Sequence, residues 1–270
     1  MEEHLLLAFG LTLFAGLATG IGSLLAFFTS TTNTKFLSLS LGFSAGVMIY
    51  VSMIEIFPKA QASLTAELGP TRGAWMTVIG FFGGMVLIAL IDRLIPKQGN
   101  PHEVKRVEDM TLDEQKIAKD QQLMKMGSFT ALAIAIHNFP EGIATFMATL
   151  HDPNLGIPIA IAVAIHNIPE GIAISVPIYF ATKSKRKAFR WSFLSGLAEP
   201  IGALIAYFFL MQFITDAVFG TIFAGVAGIM VFISFDELIP AAQKYDETHK
   251  SIYGLVGGMI VMAFSLLLMM

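Results

Sequence analysis

Eight apolar runs, at residues 5–28, 36–57, 74–91, 126–150, 155–181, 191–213, 217–239 and 252–270, constrain this 270-residue chain more than any other feature. A hydrocarbon layer about 30 Å thick asks for roughly 20 apolar residues per helical crossing, and each run is of that order. The expected fold is an all-α membrane protein of eight transmembrane helices, a single transmembrane domain over residues 1–270 with the lipid bilayer as its solvent. Composition agrees: 55% of residues are hydrophobic and 14% charged, against about 45–50% and 25% in soluble domains. The first run holds 24 uncharged residues behind Glu2 and Glu3. A signal peptide would follow a basic stretch, so this run reads as a retained helix.

Several classes are excluded at once. The chain has no cysteine, which removes disulfides, thiolate metal sites and cysteine nucleophiles. Its net charge is −3 and its basic residues are not interleaved with aromatics, so no nucleic acid is expected as a partner.

Eight crossings put both termini on one side and sort the loops into two sets. The terminal side carries only Lys59 and Arg72, whereas the other carries Lys35, seven basic residues from Arg93 to Lys125, five from Lys183 to Arg190, and Lys244 with Lys250. The positive-inside rule makes the second side cytoplasmic and places both termini outside. The longest loop, 96–125, is polar and of mixed charge and holds one histidine, His102. It reads as a solvated connector with one short helix rather than a metal-buffering tract.

The fourth and fifth runs are near copies. Residues 133–144 and 162–173 share ten of twelve positions, including His137-Asn138-Phe139-Pro140-Glu141-Gly142 and His166-Asn167-Ile168-Pro169-Glu170-Gly171. Fainter matches tie run 1 to run 6 (Gly16, Ile21, Gly22 against Gly196, Ile201, Gly202), run 2 to run 7 (Ser52, Glu55, Pro58, Gln61 against Ser234, Glu237, Pro240, Gln243) and run 3 to run 8 (Gly83, Gly84, Met85 against Gly257, Gly258, Met259). The order is 3+2+3. Matched runs lie five or one crossings apart, both odd, so the copies are inverted in the membrane. Inverted repeats are a transporter signature, with the substrate site near the midplane.

Within each central motif, His and Glu are four residues apart and share a helical face. Each proline removes an amide, frees the carbonyl of Ile136 or Ile165 and is expected to kink its helix. His137 and His166 lie within about two residues of the centres of their runs, and Glu199-Pro200 within about three, roughly 4.5 Å, of the centre of the sixth. A buried carboxylate at that depth costs at least ~2.5 kcal/mol. No lysine or arginine sits mid-run to offset it. Protons or bound cations would serve. Two imidazoles, two carboxamides and three carboxylates form an N/O donor set suited to Zn²⁺, Fe²⁺, Mn²⁺, Co²⁺ or Ni²⁺ and unlike a soft Cu(I) site. Three carboxylates suit two divalent ions held close together, so a binuclear metal site is expected from His137, Asn138, Glu141, His166, Asn167, Glu170 and Glu199. The alternative is that these are hydrogen-bonded packing groups at proline kinks.

The doubled His-Asn-x-Pro-Glu-Gly motif, the Glu199-Pro200 pair and the 3+2+3 repeat resemble the ZIP family of divalent-metal transporters, over essentially all eight runs. The short loop without a histidine tract resembles its bacterial zinc-uptake branch. The resemblance implies import of Zn²⁺, Fe²⁺ and similar cations such as Mn²⁺, Co²⁺ and Cd²⁺ into the cytoplasm across the bacterial inner (plasma) membrane. The metals would be transported substrates, with no prosthetic group. It further implies that His166, Glu141 and Glu170, with His137 nearby, dominate one metal site, that Asn138, Glu141, Asn167, Glu170 and Glu199 form the other, and that the protein is a homodimer. Some relatives place an acidic residue or glutamine in the fifth-run motif, where this chain has His166 and Asn167.

Rival functions share this constellation. An intramembrane metallohydrolase would use a zinc-bound water, but the chain lacks His-Glu-x-x-His. A channel or a metal sensor would use the same site without carrier kinetics. Of the remaining candidates, Met48 reads as either an extra ligand or a packing group. Glu55 and Glu237, with Asp236 beside the latter, read as vestibule carboxylates or interfacial groups. His4, His151, Asp152, Asp246, Glu247 and His249 read as solvated surface residues.

Overall fold

The computed structural model describes residues 4–26, 34–94, 112–213, 215–244 and 249–268. The loop residue His102, and Asp246 and Glu247, lie outside them. The described elements are helical throughout: α1 (Leu5–Ala26), α2 (Thr34–Val51), α3 (Phe57–Leu68), α4 (Pro70–Leu94), α5 (Leu112–His151), α6 (Pro153–Thr182), α7 (Lys185–Gly196), α8 (Ala198–Ile205), α9 (Asp216–Ile233), α10 (Ile239–Lys244) and α11 (Lys250–Leu268). Among the described residues seven spans are long and apolar enough to cross a membrane. The 40-residue α5, which contains the fourth apolar run, is the remaining long helix, and its polar first turns continue the helix into what the sequence suggests is a connector.

Helix ends follow local chemistry. Asp152 caps α6 by accepting the Asn154 amide at 2.9 Å, and Pro153 opens that helix where its missing N–H costs nothing. Ser184 caps α7 and Thr215 caps α9 in the same way, each accepting an amide at 3.3 Å. Gly69, at a φ of 83°, ends α3 and lets Pro70 start α4 directly.

Prolines act differently in different places. α5 and α6 run through Pro140 and Pro169 without a break. α5 has the single internal proline Pro140, and α6 carries Pro158, Pro169 and Pro177, yet packing on several sides keeps these helices of 40 and 30 residues continuous. The sixth span does break, at Leu197, the residue following the Gly196 carbonyl that Pro200 leaves without its helical amide. Glu199 therefore lies in the first turn of α8. Pro58 and Pro240 each follow a π-helical turn, Ser52–Ile56 and Ser234–Leu238, whose wider radius relieves the clash with the carbonyl four residues earlier.

The helices pack as two groups. In one, α6 lies against α1, α5 and α7, and α8 lies against α5. In the other, α2 packs on α11, α9 on α3 and α4, and α10 on α2. The groups meet chiefly where α2 crosses α6 and α5 crosses α9. Outward faces of α4 and α11 carry Ile79, Phe82, Val86, Phe264 and Leu267, all more than half exposed, an apolar surface suited to lipid.

Close helix crossings recur at positions matched by the sequence repeat. A Cβ on Gly46 would come within 2.0 Å of the Leu255 carbonyl oxygen, and one on Gly228 within 1.9 Å of that of Phe81. In the other group the corresponding distances are 1.9 Å from Gly22 to Ile168 and 2.3 Å from Gly202 to Phe139. Small residues let backbones approach this closely where no hydrophobic effect drives helices together.

Candidate metal centre

The two motif helices and α8 bring most of the expected ligands to one buried region. His166 of α6 holds its Nε2 at 3.2 Å and 3.3 Å from the two carboxylate oxygens of Glu141 on α5. Asn167, the next residue, donates from Nδ2 to the Ala15 carbonyl of α1 at 2.8 Å and to Oε1 of Glu199 on α8. Glu199 is in turn within electrostatic reach of both Glu141 and Glu170. Asn138 donates to the Ser195 carbonyl at 3.4 Å. Adjacent residues on one helix point about 100° apart, so His166 and Asn167 reach different partners from one turn of α6. All six side chains are buried, the most accessible being Glu141 at 1%. The His137 side chain lies outside the described residues.

The two asparagines make matched contacts, since Ala15 and Ser195 occupy equivalent places in the repeat of α1 and the sixth span. In each case the carboxamide nitrogen is anchored to a backbone carbonyl. Among the described residues Oδ1 of Asn138, Oδ1 of Asn167 and Oε2 of Glu199 accept no hydrogen bond. Buried oxygens in that condition fit a cation, because leaving a buried acceptor unsatisfied costs about 1–3 kcal/mol. Among the described residues no three His, Asp or Glu side chains already converge tightly enough to hold one ion.

The motif glycines are part of the same construction. A Cβ on Gly142 would lie 2.1 Å from the Glu199 carbonyl oxygen, which keeps α8 against α5 at the level of the carboxylates.

Sequence reasoning missed two features here. Ser44 of α2 donates to the His166 carbonyl at 3.4 Å and lies 4.0 Å from the sulfur of Met48, which is fully buried. The anchoring carbonyls of Ala15 and Ser195 were also unseen. The alignment of run 1 with run 6 is the signal that pairs them. Glu55 and Glu237 are both partly exposed, each within its π-helical turn. His4, Asp152, His249 and His151 are not buried, but His151 is engaged with Asp216 and Phe219.

The fold is that of a multi-pass, all-helical membrane protein with the ionisable side chains Glu141, His166, Glu170 and Glu199 buried among its helices. A family model described as ZIP zinc transporter matches residues 96–266. The chain is 72% identical over 269 residues to the "Zinc transporter ZupT" of Lysinibacillus sphaericus (strain C3-41), an alignment covering 100% of both chains. It is 69% identical over 267 residues to the protein of that name from Oceanobacillus iheyensis, and 62% identical over 268 residues to that of Streptococcus mutans, with 99% of each chain covered. The chain belongs to the ZIP family. It is a membrane transporter rather than an enzyme, which sets the metallohydrolase reading aside.

Proposed function

We propose that this chain is a secondary carrier that imports Zn²⁺, and with it related divalent cations such as Fe²⁺, Mn²⁺, Co²⁺ and Cd²⁺, into the cytoplasm. The observation that carries the reading is the pairing of His166 with Glu141 and of Asn167 with Glu199, with Glu170 buried in the same region. Zinc heads the series because the similar full-length relatives bear the name zinc transporter.

The site is binuclear. His166, Glu141 and Glu170, with His137, hold one ion. Asn138, Asn167 and Glu199 share Glu141 and Glu170 around the other. Imidazole nitrogen and carboxylate oxygen suit Zn²⁺ at about 2.0–2.2 Å, and small side-chain shifts would draw these groups together around it. Neutral carboxamides lower the net negative charge, which favours release.

Transport proceeds by movement of the metal-bearing group, α1 and α5–α8, against the group formed by α2–α4 and α9–α11. The 3+2+3 inverted repeat supports this, and the matched crossings of Gly46 with Leu255 and Gly228 with Phe81 support the repeat. The bias of basic residues supports termini outside a bacterial inner membrane. Gly83 and Gly257 meet nothing within 4 Å on the outward faces of α4 and α11, room that a second copy in a homodimer would fill.

Radiolabelled Zn²⁺ uptake into proteoliposomes, with Fe²⁺, Mn²⁺ and Cd²⁺ as competitors, tests the proposal. A carrier gives saturable uptake that is accelerated by metal on the opposite side. Flux that never saturates makes the protein a channel, and binding without flux makes it a sensor.

A further inference from the structure

One polar contact at the rim joins the two helix groups away from the metal centre. His151 ends α5, ten residues or about 15 Å beyond Glu141. Its Nε2 lies 3.4 Å from Oδ1 of Asp216, the first residue of α9, and both side chains are half exposed, at 50% and 56%. The imidazole stacks on Phe219 of α9 with ring centroids 5.1 Å apart and planes within 11°, a second contact between α5 and α9 beside the one to Asp216.

The α9 end of this contact is anchored within its own group. Ser63 of α3 donates to the Asp216 carbonyl at 2.8 Å, and Glu67 of α3 accepts the Ala217 amide. α3 therefore holds the start of α9 from one side, while α5 reaches it from the other. A strut with one fixed foot, and the other foot on the helix that carries Glu141, has to yield when the groups move apart.

We propose that His151 and Asp216 form a latch on the outer rim. It holds the outer ends of α5 and α9 together while the metal-binding side chains are buried, and it opens once per transport cycle. This rests on the carrier reading above. At 3.4 Å the contact is long for a hydrogen bond, so the latch biases the closed arrangement and does not fix it.

The absence of cysteine from the natural chain gives a clean test. The double variant His151→Cys/Asp216→Cys is joined by a short, reducible bifunctional thiol reagent, and the cross-link is verified by intact mass. Zn²⁺ uptake is expected to fall by about tenfold on cross-linking and to return on reduction. The pair Ser63→Cys/Asp216→Cys, which lies within one helix group, is expected to keep its uptake when joined. The latch is refuted if the joined His151/Asp216 pair imports at its unjoined rate, if both joined pairs stop alike, or if the first pair cannot be joined. Should the double variant be inactive before joining, His151→Ala decides. The latch predicts an uptake rate changed by about twofold or more with wild-type thermal stability, and an unchanged rate refutes it. Loss of uptake in the wild type would sink the carrier reading instead.

Discussion

Gly142 of α5 sits so close to Glu199 of α8 that an added Cβ would lie 2.1 Å from the Glu199 carbonyl oxygen, and Gly171 of α6 stands in the same relation, at 1.9 Å, to Thr19 of α1. Thr19 and Glu199 are themselves matched by the repeat. Both contacts are to backbone, which cannot swing away. Gly142→Ala and Gly171→Ala are expected to lower stability by about 1–3 kcal/mol each, read as thermal unfolding in detergent. Gly10→Ala, on an open face of α1 away from the proposed homodimer contact, is expected not to lower it. Equal behaviour of all three would mean the crossings are looser than described.

Removing one partner of a buried pair strands the other. Glu141→Ala leaves His166 without the carboxylate 3.2 Å away, and His166→Ala removes the imidazole ligand itself. Each is expected to weaken Zn²⁺ binding by at least about tenfold, measured by calorimetric titration of purified protein.

Binding must also depend on pH. Imidazole binds metal only when neutral and carboxylate only when ionised, so protons and metal compete for the same atoms. Zn²⁺ affinity is expected to fall as pH is lowered from 8 to 5, by up to about tenfold per pH unit for each proton displaced. An affinity that stays flat over that range contradicts coordination by these groups.

The asparagines separate anchoring from ligation. Asn167→Leu loses both the Ala15 carbonyl contact and the Glu199 contact, whereas Asn138→Leu loses only the single described bond to Ser195. Asn167→Leu strands the buried Oε1 of Glu199, at a cost of about 1–3 kcal/mol. The larger loss of thermal stability is expected for Asn167→Leu.

Orientation is open to direct labelling because the chain has no background thiol. Cysteine at Glu67 is expected to react with an impermeant maleimide from outside intact cells. Cysteine at Arg186 is expected to react only after lysis. The reverse pattern would invert the topology.

Much of the fold was legible because lipid imposes a simple length rule, and the spacing of the doubled motif is enough to mark Glu141, His166, Asn167 and Glu170, which the structure buries. The break at Leu197 was not foreseen, although Pro200, which deprives the Gly196 carbonyl of its helical partner, carries the signal for it. Pro140 and Pro169 lie within helices that stay continuous, held by lateral packing. Backbone acceptors such as the Ala15 and Ser195 carbonyls have no side-chain signature, so nothing in the residue types marks them. His151 and Asp216 are 65 positions apart, in unrelated loop-end contexts, and only the packing of α5 on α9 brings them together.

On the proposed function, the paired motif side chains carry metal through the protein. Initial rates of Zn²⁺ uptake into proteoliposomes containing wild type, His166→Ala or Glu170→Ala test it most directly. Saturable uptake is expected of the wild type, with a loss of about tenfold or more in both variants at matched protein incorporation. Wild-type rates in either variant would contradict it.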